Sequence, residues 1–402
     1  MDWFEKMKIA LFSDTYPPQI NGVATATYTL AKTLRDRGHE VMVVTTSLAN
    51  QFRITEIDGV LRIPGLTIKR LYNYKFSSIY NTKAFRAIKK YNPDVIHVQT
   101  EVGIGIFGRI IAHNLKIPLV YTYHTMYEDY TYYVTKGRKP FDFFVKRIVA
   151  SLSVMIGDST TEFITTSSKT KEALRRYGVK KYINIVPNGI DLSAFDINKI
   201  DSSKAKAIKN KYELDGKFVI LILGRLASEK SNDVVIKYLH NFIEENPEYE
   251  TLIKLLIVGD GPAKKDLELI CKQLKMENTI DFVGPVPHEE VPYFYHISDL
   301  YCSASTSETQ GLTYDEAMAA KTIVLAKFDD NLTDVIKDGE TGFFFKTQVT
   351  FSSKLKSIIN LSDEQKDSLL IKAYQNDIDL FSLDKFYERI MNVYKKALRK
   401  YW

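Results

Sequence analysis

Glu308 and Glu316 stand eight residues apart on either side of the tripeptide Gly311-Leu312-Thr313. Residues 303–310 are polar and loop-like and a helical pattern begins at Leu312, so the tripeptide should sit at a helix N-terminus with free amide donors. Such a turn suits a diphosphate. Its N–H groups and the positive end of the helix dipole attract the anion, and glycine lets a phosphate approach the backbone. The two carboxylates could then accept hydrogen bonds from sugar hydroxyls. An ordinary helix start, with acids favoured by the dipole, has the same spacing. Arg225 and Lys230 follow the apolar run Phe218-Val219-Ile220-Leu221-Ile222-Leu223 on a single strand-end loop. In a cleft they could neutralise a leaving diphosphate; as solvated surface charges they need no further role.

His124 ends the aromatic run Leu119-Val120-Tyr121-Thr122-Tyr123 and so projects from a strand end into any cleft there, although a lone histidine also suits a structural position. Asn21-Gly22-Val23 separates a first strand from a first helix, again bringing amides near a phosphate. Gly259-Asp260-Gly261-Pro262 is a strand followed by a glycine turn, either a close-approach loop or a tight turn. No HExxH, GxSxG, Walker A or GxGxxG motif occurs, which argues against metalloprotease, serine hydrolase, P-loop and dehydrogenase chemistry.

The elements that must hold these residues alternate. An apolar run over residues 8–13, a helical pattern over 24–37 and a β-branched run over 40–45 make one βαβ unit, and further strands are expected at 95–98 and 119–123. The pattern restarts with runs at 163–166, 183–186, 218–223, 255–258, 279–283 and 322–326. Alternating β and α predicts parallel sheets covered by helices. The expected architecture is therefore α/β, with two facing Rossmann-like, doubly wound domains and a ligand cleft between them. Residues 1–190 form the first domain and 191–383 the second. The polar stretch 188–216 is read as a hinge, and a basic, aromatic helix over 384–402 as packing back on the first domain.

The 402 residues are 45% hydrophobic and 26% charged, which excludes wholesale disorder and coiled-coil or collagen repeats. Two cysteines without metal-ligand spacing weigh against a disulfide framework and a structural zinc site, as expected of a cytoplasmic protein. No run of 18 apolar residues occurs, so no bilayer span is expected. The net charge of +6 is uneven: residues 62–149 hold 15 Lys and Arg against 5 Asp and Glu. That points to phosphate-bearing partners. Nucleic acid is disfavoured, because no RRM, KH, zinc or helix-turn-helix signature accompanies the charge and Glu308 with Glu316 would be left unexplained. No protein partner is evident.

Taken together, Asn21-Gly22-Val23, His124-Thr125, Pro187-Asn188-Gly189-Ile190-Asp191, Gly224-Arg225-Leu226 with Glu229-Lys230, Gly259-Asp260-Gly261-Pro262 and Glu308 with Glu316 resemble the retaining GT-B glycosyltransferases of family 4, in order over nearly the whole chain. More narrowly, the stretches at 124–130 and 309–319 resemble bacterial 1,2-diacylglycerol 3-glucosyltransferases. The resemblance implies that Glu316 holds the nucleotide ribose, Glu308 the donor sugar hydroxyls, and Arg225 with Lys230 the diphosphate. Gly311, Leu312 and Thr313 would bind sugar and phosphate through their amides, Gly22 would lie near the donor phosphate, and His124 would contact the donor sugar. It also implies UDP-glucose as donor, diacylglycerol as acceptor and no metal or other cofactor. No dedicated nucleophile stands out, so retention implies front-face displacement. Ala320-Lys321 stands where relatives often have Gly and Pro, a change confined to helix-end geometry.

The lipid expectation has its own sequence support. Residues 68–91, with Lys69, Arg70, Lys75, Arg86, Lys89 and Lys90, interleave basic and apolar side chains, and residues 136–147, with Arg138 and Lys139, do so again. Apolar groups would enter the acyl boundary while the cations meet anionic headgroups, which could also activate the enzyme. A solvated helix face is the plainer reading of each segment alone. The location expected is peripheral, on the inner face of the cell membrane; another lipid or a soluble glycan is the alternative acceptor.

Overall fold

The computed structural model describes residues 6–19, 21–48, 53–68, 74–124, 139–305, 308 and 310–401. The chain forms two α/β units, Met1–Gly189 with Leu383–Trp402, and Ile190–Ser382.

The first unit is built from β1 (Lys8–Phe12), α1 (Gly22–Asp36), β2 (Glu40–Thr46), β3 (Thr55–Ile57), β4 (Val60–Ile63), β5 (Gly65–Ile68), β6 (Tyr74–Ser77), α2 (Thr82–Tyr91), β7 (Val95–Val98), α3 (Gly103–Leu115), β8 (Leu119–Tyr123), α4 (Lys139–Ser159), β9 (Glu162–Thr165), α5 (Ser168–Tyr177) and β10 (Ile183–Ile185). Its main sheet runs β10-β9-β8-β7-β1-β2-β4-β3 and is parallel except for β3 against β4. β7 and β8 are buried throughout and β1 from Ile9 onward, so they read as unbroken apolar runs rather than alternating ones. Strand order reverses between β1 and β7, the switch point where open sheets offer a ligand crevice. The basic segment around Lys75 is not helical. It contributes the antiparallel strand pair β5–β6, with Leu66 in register with Phe76 and Ile68 with Tyr74.

The second unit comprises α6 (Ser202–Lys211), β11 (Phe218–Leu223), α7 (Asn232–Glu245), β12 (Ile253–Val258), α8 (Lys264–Gln273), β13 (Ile280–Gly284), α9 (Val291–His296), β14 (Leu300–Ser303), α10 (Leu312–Ala319), β15 (Ile323–Lys327), β16 (Phe343–Phe345), α11 (Gln348–Ile359) and α12 (Asp363–Phe381). Its all-parallel sheet runs β13-β12-β11-β14-β15-β16, the doubly wound order with its switch point between β11 and β14. Apolar clusters fill both faces of this sheet. The polar stretch 188–216 is not a bare connector: Phe195 and Leu214 are buried in the core of this unit.

The final helix, α13 (Leu383–Tyr401), returns to the first unit. Phe386, Ile390, Tyr394 and Ala397 recur at helical spacing and pack with Leu11, Val43, Val120 and Ile164. Two tyrosine–histidine bonds fix its rotation, Tyr387 Oη to His39 Nε2 and Tyr394 Oη to His97 Nδ1, each at 2.8 Å. Among the described residues no helix is long and apolar enough to cross a membrane.

Candidate active site

At the switch point of the second unit, β11 and β14 deliver the residues marked by the sequence. The loop leaving β11 carries Arg225 and, on a 3-10 turn, Lys230; the loop leaving β14 carries Glu308. Lys230 Nζ lies 2.5 Å from Glu308 Oε1, and both side chains keep partial exposure. The fold thus brings a cation and a carboxylate from separate loops to one point. Arg225 is paired with Glu229, whose side chain is nearly buried. Glu229 is therefore an orienting group for the arginine, visible in the sequence only as part of the motif.

Gly311 caps α10 with φ +85°, a left-handed conformation that favours glycine, and a Cβ there would stand 2.6 Å from the Tyr314 ring. Leu312 and Thr313 open the helix, and the Thr313 hydroxyl accepts a 2.7 Å hydrogen bond from Tyr301. Among the described residues no side chain caps the first turn of α10, so the Leu312 and Thr313 amides remain donors for a bound anion while the Tyr314 amide bonds the Gly311 carbonyl. Glu316 sits one turn on, partly buried, with Tyr295 Oη donating to its Oε2 at 2.9 Å. Burial raises its carboxyl to about 7, against the lowering effect of that bond. Tyr295 and Tyr301 are supporting residues that the sequence did not mark, being indistinguishable there from core aromatics.

In the first unit, Gly22 opens α1 with open space around it, and Asn21 caps the helix by accepting from the Ala24 amide at 2.9 Å. His124 follows β8, is almost fully buried, and meets Gln99 Oε1 through Nε2 at 2.6 Å. Burial lowers its imidazole to about 4, so it is neutral at ordinary pH. Gln99 directly follows β7, beside a small recess that His97, Thr122, His124 and Asn188 also line. Asp14 closes the switch point of this unit: its carboxylate takes hydrogen bonds from Thr100 Oγ1 at 2.6 Å and the Ile104 amide at 2.9 Å, and burial raises it to about 7. Neither Gln99 nor Asp14 carries a motif that would have singled it out.

Of the basic residues, Lys83, Arg86, Lys89 and Lys90 are exposed on α2 while Ala84 and Ile88 face the core. Lys75 lies on β6, Lys139 opens α4, and Lys69, Arg70 and Arg138 fall outside the described residues. On α4, Phe143, Ile148, Leu152 and Met155 are all exposed, the last three at i, i+4 and i+7. Arg147 stands 6.0 Å over the Phe143 ring.

Two doubly wound parallel-sheet units, the second with a lysine–carboxylate pair and an open helix start at its switch point, are the make-up of a GT-B glycosyltransferase. Residues 20–194 match the model described as Glycosyltransferase Family 4, and residues 204–376 the one described as Glycosyl transferases group 1. The alpha-monoglucosyldiacylglycerol synthase of Streptococcus pneumoniae is 32% identical, over 98% of this chain and 86% of the relative. The enzyme of the same name from Acholeplasma laidlawii is 30% identical, over 98% of this chain and 100% of its own. The chain belongs to glycosyltransferase family 4. Among solved structures, Anabaena HepE in complex with UDP and glucose superposes with a TM-score of 0.73 at 18% identity, covering 96% of this chain and 98% of its own. A Rickettsia africae glycosyltransferase gives 0.74 at 20%, covering 98% and 100%.

Proposed function

We propose that this glycosyltransferase moves glucose from UDP-glucose to the 3-hydroxyl of 1,2-diacylglycerol, with retention, at a membrane surface. The observation that carries the transferase chemistry is the meeting of Lys230 and Glu308 at the switch point beside the α10 helix start. The diacylglycerol acceptor is supported by two relatives, matched over 98% of this chain, that bear the name alpha-monoglucosyldiacylglycerol synthase. UDP as the carrier is supported by Anabaena HepE, solved with UDP and with UDP-glucose.

On this reading the α10 amides and Lys230, with Arg225, take the diphosphate, Glu308 takes sugar hydroxyls, and Glu316 accepts from the ribose. The acceptor oxygen attacks the anomeric carbon on the face that the diphosphate leaves. The new carbon–oxygen bond forms as the sugar–phosphate bond breaks, and the acceptor proton passes to a departing phosphate oxygen. Cations positioned where negative charge develops lower that barrier. Neutral His124, held by Gln99, offers its ring to the donor sugar. The basic face of α2 and the apolar row of α4 meet anionic headgroups and acyl chains.

The test is transfer of label from UDP-glucose into the organic phase by purified protein on vesicles containing diacylglycerol, with and without anionic lipid and with EDTA throughout. A monoglucosyl lipid that needs diacylglycerol and increases with anionic lipid supports the whole reading. Transfer only to glucosylated lipids or soluble glycans would discard the acceptor and keep the transferase.

A further inference from the structure

Both cations offered to the diphosphate already carry a carboxylate. Arg225 is paired with Glu229, four residues on along the same loop, so the two move together. Lys230 is paired with Glu308 from the loop leaving β14, Nζ to Oε1 at 2.5 Å, which ties two loops to each other. The side chain of Glu308 is 13% exposed and that of Lys230 29%. A carboxylate so far withdrawn from water needs donors from its surroundings. Two tyrosines on which its charge acts spend their protons elsewhere: Tyr301 Oη donates to Thr313 Oγ1 at 2.7 Å and Tyr314 Oη to Ser303 Oγ at 2.9 Å. Asp315 and Glu316 at the start of α10 are acids and bring no cation. Lys230 can serve more than one anion, because its ammonium is a point charge on a flexible four-carbon stem while its backbone is held in the turn Ser228–Lys230.

We propose that Glu308 discriminates between donor and product: it takes the sugar hydroxyls of bound UDP-glucose and, once the sugar has gone, takes Lys230, competing with the diphosphate of UDP for that lysine. The proposal rests on the reading that Lys230 meets the diphosphate and Glu308 the sugar. With a hexose in place, its hydroxyls donate to Glu308 and Lys230 turns to the diphosphate. After transfer those donors depart with the product. A lysine then shared by Glu308 and UDP would hold two anions close together in a site partly shielded from water, so each weakens the other's hold. Lys230 thus grips the diphosphate hardest while the sugar is attached, and UDP leaves more readily than its contacts alone would allow.

The experiment is titration calorimetry of the full chain, without acceptor, with UDP and UDP-glucose as probes on wild type, Glu308→Gln, Lys230→Ala and the double variant. Glu308→Gln should bind UDP about fivefold more tightly than wild type, the worth of an ion pair with this exposure. UDP-glucose, whose hydroxyls lose a charged acceptor, should bind no more tightly than before. In the Lys230→Ala background the same substitution should change UDP affinity by less than about twofold, because there is no lysine left to release. Lys230→Met provides the same background should Lys230→Ala fail to fold. A fivefold gain that persists without the lysine would show that Glu308 repels UDP directly and would overturn the proposal, as would an equal gain for UDP-glucose. UDP bound alike, or more weakly, by Glu308→Gln sinks the competition alone; no UDP binding by wild type sinks the donor reading and the competition with it.

Discussion

Lys230 and Glu308 come from loops 78 positions apart, and their ion pair is partly open to water. An exposed pair of this kind contributes on the order of 1 kcal/mol to stability, whereas a cation aimed at developing charge is worth roughly 100-fold or more in rate. Lys230→Ala should therefore lower kcat by about two orders of magnitude while shifting the thermal midpoint only slightly, which single-turnover kinetics and calorimetry would separate. Glu316 makes a second prediction. Its carboxyl, raised to about 7 by burial, accepts more strongly from ribose hydroxyls and through both oxygens when ionised, so KM for UDP-glucose should rise as pH falls below about 7. Glu316→Gln should flatten that limb. His124 adds no such limb, because it stays neutral down to about 4. At this scale the sequence named the chemical groups but not their holders. Tyr295, Gln99 and Asp14 act through contacts that strand order creates, and no local pattern announces them.

The helix α12 carries a cost that its sequence hides, since Asp377 reads as one acid among several on an amphipathic helix. The folded chain keeps a proton there until about 8, whereas the unfolded chain releases it near the ordinary 3.8. Between those values the folded state binds more protons, so stability contributed at low pH is lost as pH rises toward about 8. Asp377→Asn should raise stability at pH 8 by on the order of 5 kcal/mol, shrinking to almost nothing near pH 4, as differential scanning calorimetry across pH would register. On α4, Ile148 and Leu152 are exposed, so the pair Ile148→Ser and Leu152→Ser should leave the melting curve unchanged. It should weaken sedimentation with anionic vesicles by about thirtyfold, each lost side chain removing roughly 1 kcal/mol of acyl contact. Element boundaries in the sequence were good where strands are central and buried. The short strands β3, β4, β14 and β16 escaped notice: three or four residues give too little pattern, and β14 mixes Tyr, Cys and Ser. The strand pair β5–β6 was hidden by its basic side chains, which suggest an amphipathic surface segment instead.

Across the whole molecule, the repeated βα alternation made two doubly wound units legible, because continuous apolar runs between helical stretches have few other solutions. Sheet order was not legible, and with it went the knowledge that Arg225 and Glu308 leave adjacent strands. Deleting residues 383–402 should strip the cover from Leu11, Val43, Val120 and Ile164 and abolish the cooperative melting of the first unit, while the second unit keeps its own transition in a calorimetric scan. The same arrangement bears on biosynthesis. A ribosome must make the roughly 190 residues of the second unit before it reaches α13, which at ordinary elongation rates takes about 10–40 s. Through that interval the nascent first sheet has one greasy flank uncovered, so the second unit should reach its native state first, and the first unit should depend on chaperone shelter until α13 is made and docks.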